Sequence, residues 1–234
     1  MIRNCFYLLL LLTASATAQA SECVVLLHGL IRSASSMEAM QEALEDEGFE
    51  VVNIDYPSTE MSIEELAPLA VGEGVQSCQS IEGVTRIHFV THSLGGILVR
   101  QYLSENELPM LGRTVMLGPP NQGSDAVEAM GGVPGFDLLN GPAGQQLGKD
   151  DNSVPLRLPP ADFEVGIIAG NRTIDPITSS VLPNPDDGRV SVEDTKLEGM
   201  TDFVIVDHSH AFMMSRKRVI ELSIRFLRNG SFAE

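Results

Sequence analysis

The chain has 234 residues, with 15 basic and 32 acidic side chains and a formal charge of −17. This length suits one domain with a sizeable core. Because so acidic a surface repels phosphate backbones and anionic lipid, the composition argues against nucleic acid or an anionic membrane as a partner.

The N-terminal segment has the three parts of a secretory signal peptide. Arg3 precedes an apolar run, 5–12, and small residues end at Ala18-Gln19-Ala20. The apolar run is too short to cross a bilayer, which needs about 20 residues. We expect cleavage after Ala20, which leaves a mature domain, 21–234, that is soluble, has no membrane span and is periplasmic or secreted. Because cleavage removes Arg3, the net charge of the mature domain is one unit more negative than that of the full chain.

Two cysteines, Cys23 and Cys78, remain in the expected mature chain. An even pair in an oxidising compartment favours a disulfide. Cys23 opens the first predicted strand, and Cys78 ends the helical stretch before the third. The pair is therefore predicted to be bonded, with two buried free thiols as the alternative.

Apolar runs alternate with helical patterns along the chain. The predicted strands are 24–27, 51–54, 87–91, 114–117, 164–169 and 203–206; the predicted helices are 36–47, 62–76, 94–104, 190–196 and 215–227. The strands are rich in Val, Ile and Leu with little alternation, as in a parallel sheet covered on both faces. This order predicts an α/β fold with an open, mostly parallel sheet of about six strands and helices on both faces.

Residues 122–160 interrupt this rhythm with a segment rich in Gly, Pro, Asn and Asp. A loop this long in a compact domain is usually functional or mobile. We expect a cap or lid over the end of the sheet, with a merely structural excursion as the alternative.

A serine stands at a sharp strand-to-helix junction. Ser93 follows the strand-like run 86–90 and precedes the helix-like run 97–103, and Gly95 is small enough to let strand and helix approach. This arrangement is typical of a nucleophile elbow. Thr91 departs from the usual glycine two residues before the serine and could crowd the turn.

The first predicted strand runs directly into His28-Gly29-Leu30. Gly29 would permit a tight turn that directs the Leu30 N–H at a reacting carbonyl, with the Leu94 N–H as the second oxyanion donor. His28 is interpreted as a residue that braces this loop.

A carboxylate that orients the base is expected after the fifth strand, before the histidine in chain order. Asp187 is the first choice because Gly188 permits the turn that points it inward. Asp186 is the alternative, Asp175 a more remote one, and the two adjacent aspartates could instead simply cap the predicted helix 190–196.

The base is expected after the last strand. His210 is preferred since it lies farther beyond the strand, and His208 is the alternative. His88 and His92 are interpreted as structural, with His92 facing the sheet–helix packing. The chain contains no phosphate-binding loop, dinucleotide fingerprint or metal-ligand spacing, so we expect no cofactor and no metal.

These motifs together resemble the α/β-hydrolase superfamily, and within it the small bacterial lipases and esterases. The matching pieces are 26–30, 92–96, 117–124, 187–190 and His210, and the resemblance covers about 24–230. It implies a minimal version of the fold, with Ser93 as nucleophile, Asp187 as acid, His210 as base, and Leu30 and Leu94 as oxyanion donors.

The predicted activity is hydrolysis of carboxylic esters by an acyl-enzyme route, on a small-molecule or lipid-like ester. Apolar residues of the cap could receive an acyl chain: Val133, Phe136, Leu138 and Leu139. The alternatives are a thioesterase, amidase or acyltransferase with the same triad, or an inert binding protein on a hydrolase fold. The sequence does not predict an oligomeric state.

Overall fold

The computed structural model describes residues 20–130 and 136–234, and their side chains outside 130–139. The predicted signal peptide up to residue 19, Val133 and the cap side chains Phe136, Leu138 and Leu139 lie outside the described part. None of the described helices is long and apolar enough to cross a membrane.

Six parallel strands form one sheet in the order β2-β1-β3-β4-β5-β6. Their bounds are β1 Ser21–Leu27, β2 Glu50–Ile54, β3 Val84–His92, β4 Leu111–Leu117, β5 Val165–Gly170 and β6 Asp202–Val206. All six predicted strands and the predicted fold class are confirmed. The chain order reverses at β1, beside β3, and ligands of such sheets bind at the carboxyl ends of the strands near this point.

The helices lie on both faces of the sheet. They are α1 Glu38–Asp46, α2 Ile63–Leu66, α3 Gly72–Ser80, α4 Leu94–Glu105, α5 Asp125–Met130, α6 Phe136–Gln145, α7 Val154–Arg157, α8 Pro176–Ser179 and α9 Lys217–Asn229. A π-helical segment, Ala67–Val71, joins α2 to α3, and short 3-10 helices cover Ala34–Met37 and His210–Ser215.

Strand β1 shows why the sheet is buried on both faces. Cys23, Val25 and Leu27 pack into the core under α2, α3 and α4, while Val24 and Leu26 pack into the core under α1 and α9. Successive side chains of a strand point to opposite faces, so a doubly covered strand must be apolar throughout.

The predicted helix 190–196 is wrong; this stretch is a series of turns. Its polar groups bond to another loop, since the Asp194 carbonyl accepts from the Gln122 N–H at 2.9 Å and the Thr195 carbonyl accepts from the Asn121 side chain at 2.8 Å. These contacts replace the regular bonds of a longer helix.

Cys23 and Cys78 form a disulfide, as predicted. It joins β1 to α3 across 55 residues of chain. Closing a loop of this length in the unfolded chain stabilises the fold by about 4 kcal/mol on the chain-entropy model.

Segment 122–160 contains α5, α6 and α7 rather than one long loop. It is fastened to the α2 and α4 side of the sheet, since the Ala143 N–H donates to the Met61 carbonyl at 3.1 Å. The buried Arg100 of α4 donates to the carbonyls of Pro155 and Leu158 at 3.3 and 3.2 Å. A Cβ on Gly144 would lie 3.0 Å from Leu30, so α6 lies beside the loop that follows β1.

Candidate active site

Ser93 occupies the turn between β3 and α4 in a left-handed conformation, with φ 51° and ψ −117°. Residues other than glycine rarely adopt a positive φ, and such strain persists only where the surroundings enforce it. The Ser93 N–H donates to the Leu117 carbonyl at 2.9 Å, which ties the turn to the end of β4.

Two glycines allow the chain to approach this turn. A Cβ on Gly95 would lie 2.7 Å from the Leu27 carbonyl oxygen, and one on Gly29 would lie 3.2 Å from the Ser93 Cβ. Thr91 does not crowd the turn, because a third glycine, Gly96, leaves room beside its hydroxyl.

The loop after β1 is braced by a histidine–tyrosine pair. The rings of His28 and Tyr56 stack with centroids 4.0 Å apart, and the Tyr56 hydroxyl donates to the His28 carbonyl. His28 Nδ1 lies 2.8 Å from the Gly29 carbonyl oxygen, and Nε2 accepts from the Tyr56 N–H at 3.3 Å. Burial lowers the pKa of His28, which favours the neutral ring that this bonding requires.

Leu30 and Leu94 are the residues expected to supply the oxyanion donors, and Leu94 directly follows Ser93 in the chain. The neighbouring Ile31 has a φ of 58°, and its N–H donates to Ser58 Oγ at 3.1 Å. Within the described part of the chain, the Leu30 N–H has no acceptor. Leu94 is the first residue of α4, where backbone N–H groups lack intrahelical partners.

Asp187 and His210 form a buried pair at the carboxyl edge of the sheet. Asp187 Oδ2 lies 2.8 Å from His210 Nδ1, and Oδ1 accepts from the N–H groups of Arg189 and Val190 at 2.9 and 2.8 Å. The His210 N–H donates to the Asp187 carbonyl at 3.0 Å. The backbone turn that contains Asp187 therefore fixes its carboxylate, and the carboxylate fixes the orientation of the His210 imidazole.

The alternative candidates are engaged elsewhere. Asp186 accepts from the Gly188 N–H and the Ser179 hydroxyl, both at 2.7 Å, and Asp175 caps α8 by accepting from the Thr178 N–H at 3.2 Å. His208 is only partly buried. Geometry therefore brings Asp187 together with His210 and leaves the other three apart.

His92 lies against His210, a contact that sequence reasoning missed. Its Nε2 donates to the His210 carbonyl at 3.0 Å, and the ring centroids are 4.7 Å apart. Burial first, then the neighbouring His210 and Arg32, hold the pKa of His92 well below its ordinary value, so the ring is a neutral hydrogen-bond donor. Only its position one residue before Ser93 could have indicated this contact.

Gly118 directly follows β4 and lies against the Asp187–His210 pair. Its φ is 55°, and a Cβ there would lie 3.0 Å from both Asp187 Oδ2 and His210 Nδ1. Because Gly118 has no side chain, Asp187 and His210 have room to lie against it.

Among known protein families, a model of the alpha/beta hydrolase family matches residues 24–189. The chain belongs to that family. No curated protein sequence matches it.

Solved hydrolase structures share the fold at low sequence identity. A mature lipase of Bacillus licheniformis is 18% identical with a TM-score of 0.72, over 89% of this chain and 92% of that one. A phospholipase of Legionella pneumophila is 17% identical with a TM-score of 0.67, over 90% of this chain and 59% of that one. An esterase of Pyrococcus furiosus is 16% identical with a TM-score of 0.60, over 89% and 83%.

A cavity of about 350 Å³ opens beside the acid–base pair of this hydrolase-family chain. It is lined by Ile174, Asp175, Pro176, Asp187, Gly188, Arg189, His210 and Ala211. A larger, polar cavity of about 660 Å³ lies between α2 and the cap segment and is lined by neither Ser93 nor His210. Within residues 20–130 and 136–234 no group of three or more His, Cys, Asp or Glu side chains is arranged to hold a metal ion.

Proposed function

We propose that the protein is an exported serine hydrolase that cleaves carboxylic esters through an acyl-enzyme on Ser93. The observation that carries this proposal is the strained Ser93 turn, next to a histidine-bearing loop in which His210 is hydrogen-bonded to a buried Asp187. A serine hydroxyl is a weak nucleophile until a neighbouring base accepts its proton.

In this proposal Ser93 attacks the ester carbonyl while His210 accepts the hydroxyl proton. His210 then returns that proton to the departing alcohol, and water hydrolyses the acyl-enzyme by the same steps in reverse. Asp187 holds the imidazole with Nδ1 protonated, so that Nε2 is the atom that exchanges protons.

The N–H groups of Leu30 and Leu94 are the proposed oxyanion donors. Ser58 engages the Ile31 N–H and the His28–Tyr56 pair holds the loop, so the Leu30 donor is fixed before substrate arrives. Preorganised donors of this kind act on the charge that develops in the transition state.

Segment 122–160 is the proposed cap. Its support is the contact between Gly144 of α6 and Leu30, which brings the segment to the oxyanion loop. The lipases and esterases among the structural neighbours share this fold at under 20% identity, and an ester substrate is in keeping with that fold.

Export is proposed from the signal-like segment before residue 21. The Cys23–Cys78 disulfide supports it, because such bonds persist in oxidising compartments.

The test is hydrolysis of p-nitrophenyl esters of increasing chain length by residues 21–234 and by Ser93→Ala. We expect kcat/KM to fall at least about 10³-fold in the variant. The control is Ser80→Ala, since Ser80 is exposed at the end of α3 and bonds only its own helix. Equal turnover by wild type and Ser93→Ala, with both folded, would contradict the proposal.

A further inference from the structure

Two arginines contact residues that directly follow the proposed catalytic histidine in the chain. The Arg32 guanidinium donates to the carbonyl of Ala211, the residue after His210, at 3.2 Å. The guanidinium carbon of Arg216 lies 5.8 Å from the ring centroid of Phe212.

Neither arginine has a carboxylate within 4.0 Å among the described residues, although the chain carries twice as many acidic as basic side chains. Two other arginines near the carboxyl edge of the sheet differ in this respect. Arg172 lies 3.7 Å from Asp207, and Arg189 lies 3.5 Å from Asp175.

Arg32 is close enough to His92, which contacts His210, to act on it electrostatically. The charge of Arg32 is among the causes that lower the pKa of His92. A bound anion would offset that positive charge.

The location indicates which part of the substrate would carry the anion. In the proposed mechanism His210 delivers its proton to the leaving alcohol, so groups that flank the histidine face that alcohol. Arg32 is also two residues beyond Leu30, a proposed oxyanion donor. An arginine offers five N–H donors in a planar fork that matches carboxylate and phosphate.

We propose that Arg32, assisted by Arg216, binds an anionic group on the alcohol part of the substrate. The substrate class is then an acyl ester of an alcohol that carries a phosphate or a carboxylate. Exposed apolar side chains next to the arginines, Ile31 at 59% and Phe212 at 47% exposure, would contact the carbon skeleton of that alcohol. This inference rests on the proposed function.

The test compares esters with and without an anionic group on the alcohol part. One pair is 4-butyryloxybenzoate and its neutral methyl ester; the other is monobutyrylglycerol 3-phosphate and monobutyrylglycerol. Both pairs are short and dissolve, so the assay needs no lipid surface. The pairs separate carboxylate from phosphate as the preferred anion.

We expect wild type to favour the anionic member of at least one pair. Arg32→Gln should lower the anionic-to-neutral ratio of kcat/KM by about 10- to 100-fold, mainly through KM, because a charge-assisted hydrogen bond is lost. Arg32→Lys should restore part of the ratio. Arg86→Gln is the control, since Arg86 is exposed near the start of β3, at the opposite edge of the sheet from Ser93.

The inference is overturned if wild type shows no preference for the anion, or if Arg32→Gln lowers both members of a pair equally. In those cases hydrolysis of the neutral ester that disappears in Ser93→Ala leaves the proposed function standing. Absence of hydrolysis of every ester by folded wild type would overturn both.

Discussion

The proposed nucleophile side of the site, residues 28–30 and 93–95, and the proposed acid–base side, residues 186–190 and 208–211, lie at the same edge of one sheet but are held differently. On the nucleophile side, segments of backbone pack directly against each other. A Cβ on Gly95, for example, would collide with the Leu27 carbonyl. On the acid–base side, side-chain hydrogen bonds set the geometry, as between Asp187 and the Arg189 and Val190 N–H groups.

This difference has consequences for mutation. Enlarging a glycine on the nucleophile side should cost stability, because the packed backbone has no room to adjust. Changes on the acid–base side should cost activity while the fold persists. His92 joins the two, since it precedes Ser93 in the chain and donates to the His210 carbonyl.

The largest effect is expected for Asp187→Asn. The amide cannot hold the histidine in the tautomer that proton transfer requires, so kcat should fall about 10³- to 10⁴-fold. Ester hydrolysis and urea unfolding, measured together, check this. Asp186→Asn should lose far less activity, because Asp186 bonds Gly188 and Ser179 rather than His210. A reversed ranking of the two variants would assign the acid to Asp186.

Removal of the disulfide comes next. Cys23→Ala with Cys78→Ala should lower the free energy of unfolding by about 4 kcal/mol, measured by urea denaturation. Protein that remains folded should keep its kcat, because the bond joins β1 to α3 behind the site. A loss of kcat in fully folded double variant would show that the nucleophile side depends on this tether.

Gly95→Ala should cost about 1–3 kcal/mol of stability, because its Cβ meets backbone that cannot move aside. Gly72→Ala is the matched control. Its Cβ would lie 3.7 Å from Tyr102, an ordinary contact, and alanine there should stabilise α3 by up to about 1 kcal/mol. Thermal unfolding of both variants decides the matter; tolerance of Gly95→Ala would refute the close packing described for the elbow.

The smallest effect concerns pH. His92 has a depressed pKa in the folded protein, whereas in the unfolded chain it takes up a proton below about pH 6.5. The unfolded state therefore binds more protons, and the free energy of unfolding falls as the pH drops, by up to about 1.4 kcal/mol per pH unit for one such group.

His92→Gln removes the titrating group and keeps a donor for the His210 carbonyl. Urea unfolding between about pH 7.5 and 5.5 should therefore show a shallower pH dependence than wild type, where burial also lowers the pKa of His28 and His88. His208→Gln, at a partly buried position, is the control. Identical slopes for wild type and His92→Gln would show that His92 does not contribute.

Sequence patterns predicted the sheet well because local composition determines it. Strands buried on both faces read as short apolar runs, and the six such runs became β1 to β6. The strand-to-helix turn was equally predictable, since Ser93 and Gly95 are only two positions apart in the chain.

What the sequence could not predict depends on distant partners. The sequence predicted a short helix at 190–196, but this stretch bonds to Asn121 and Gln122, more than 60 residues earlier in the chain. The choice between Asp186 and Asp187 turns on which carboxylate faces His210, and the contact of His92 with His210 joins positions 118 residues apart. The spacing of residues along the chain indicates neither which carboxylate faces His210 nor the contact between the two histidines.

The most direct measurement is labelling of the folded mature chain with a fluorophosphonate probe, followed by peptide mass spectrometry. We expect one adduct, on Ser93, that forms in Asp186→Asn and is lost in Ser93→Ala. A folded protein that stays unlabelled, or an adduct on another serine, would contradict the assignment of Ser93 as nucleophile.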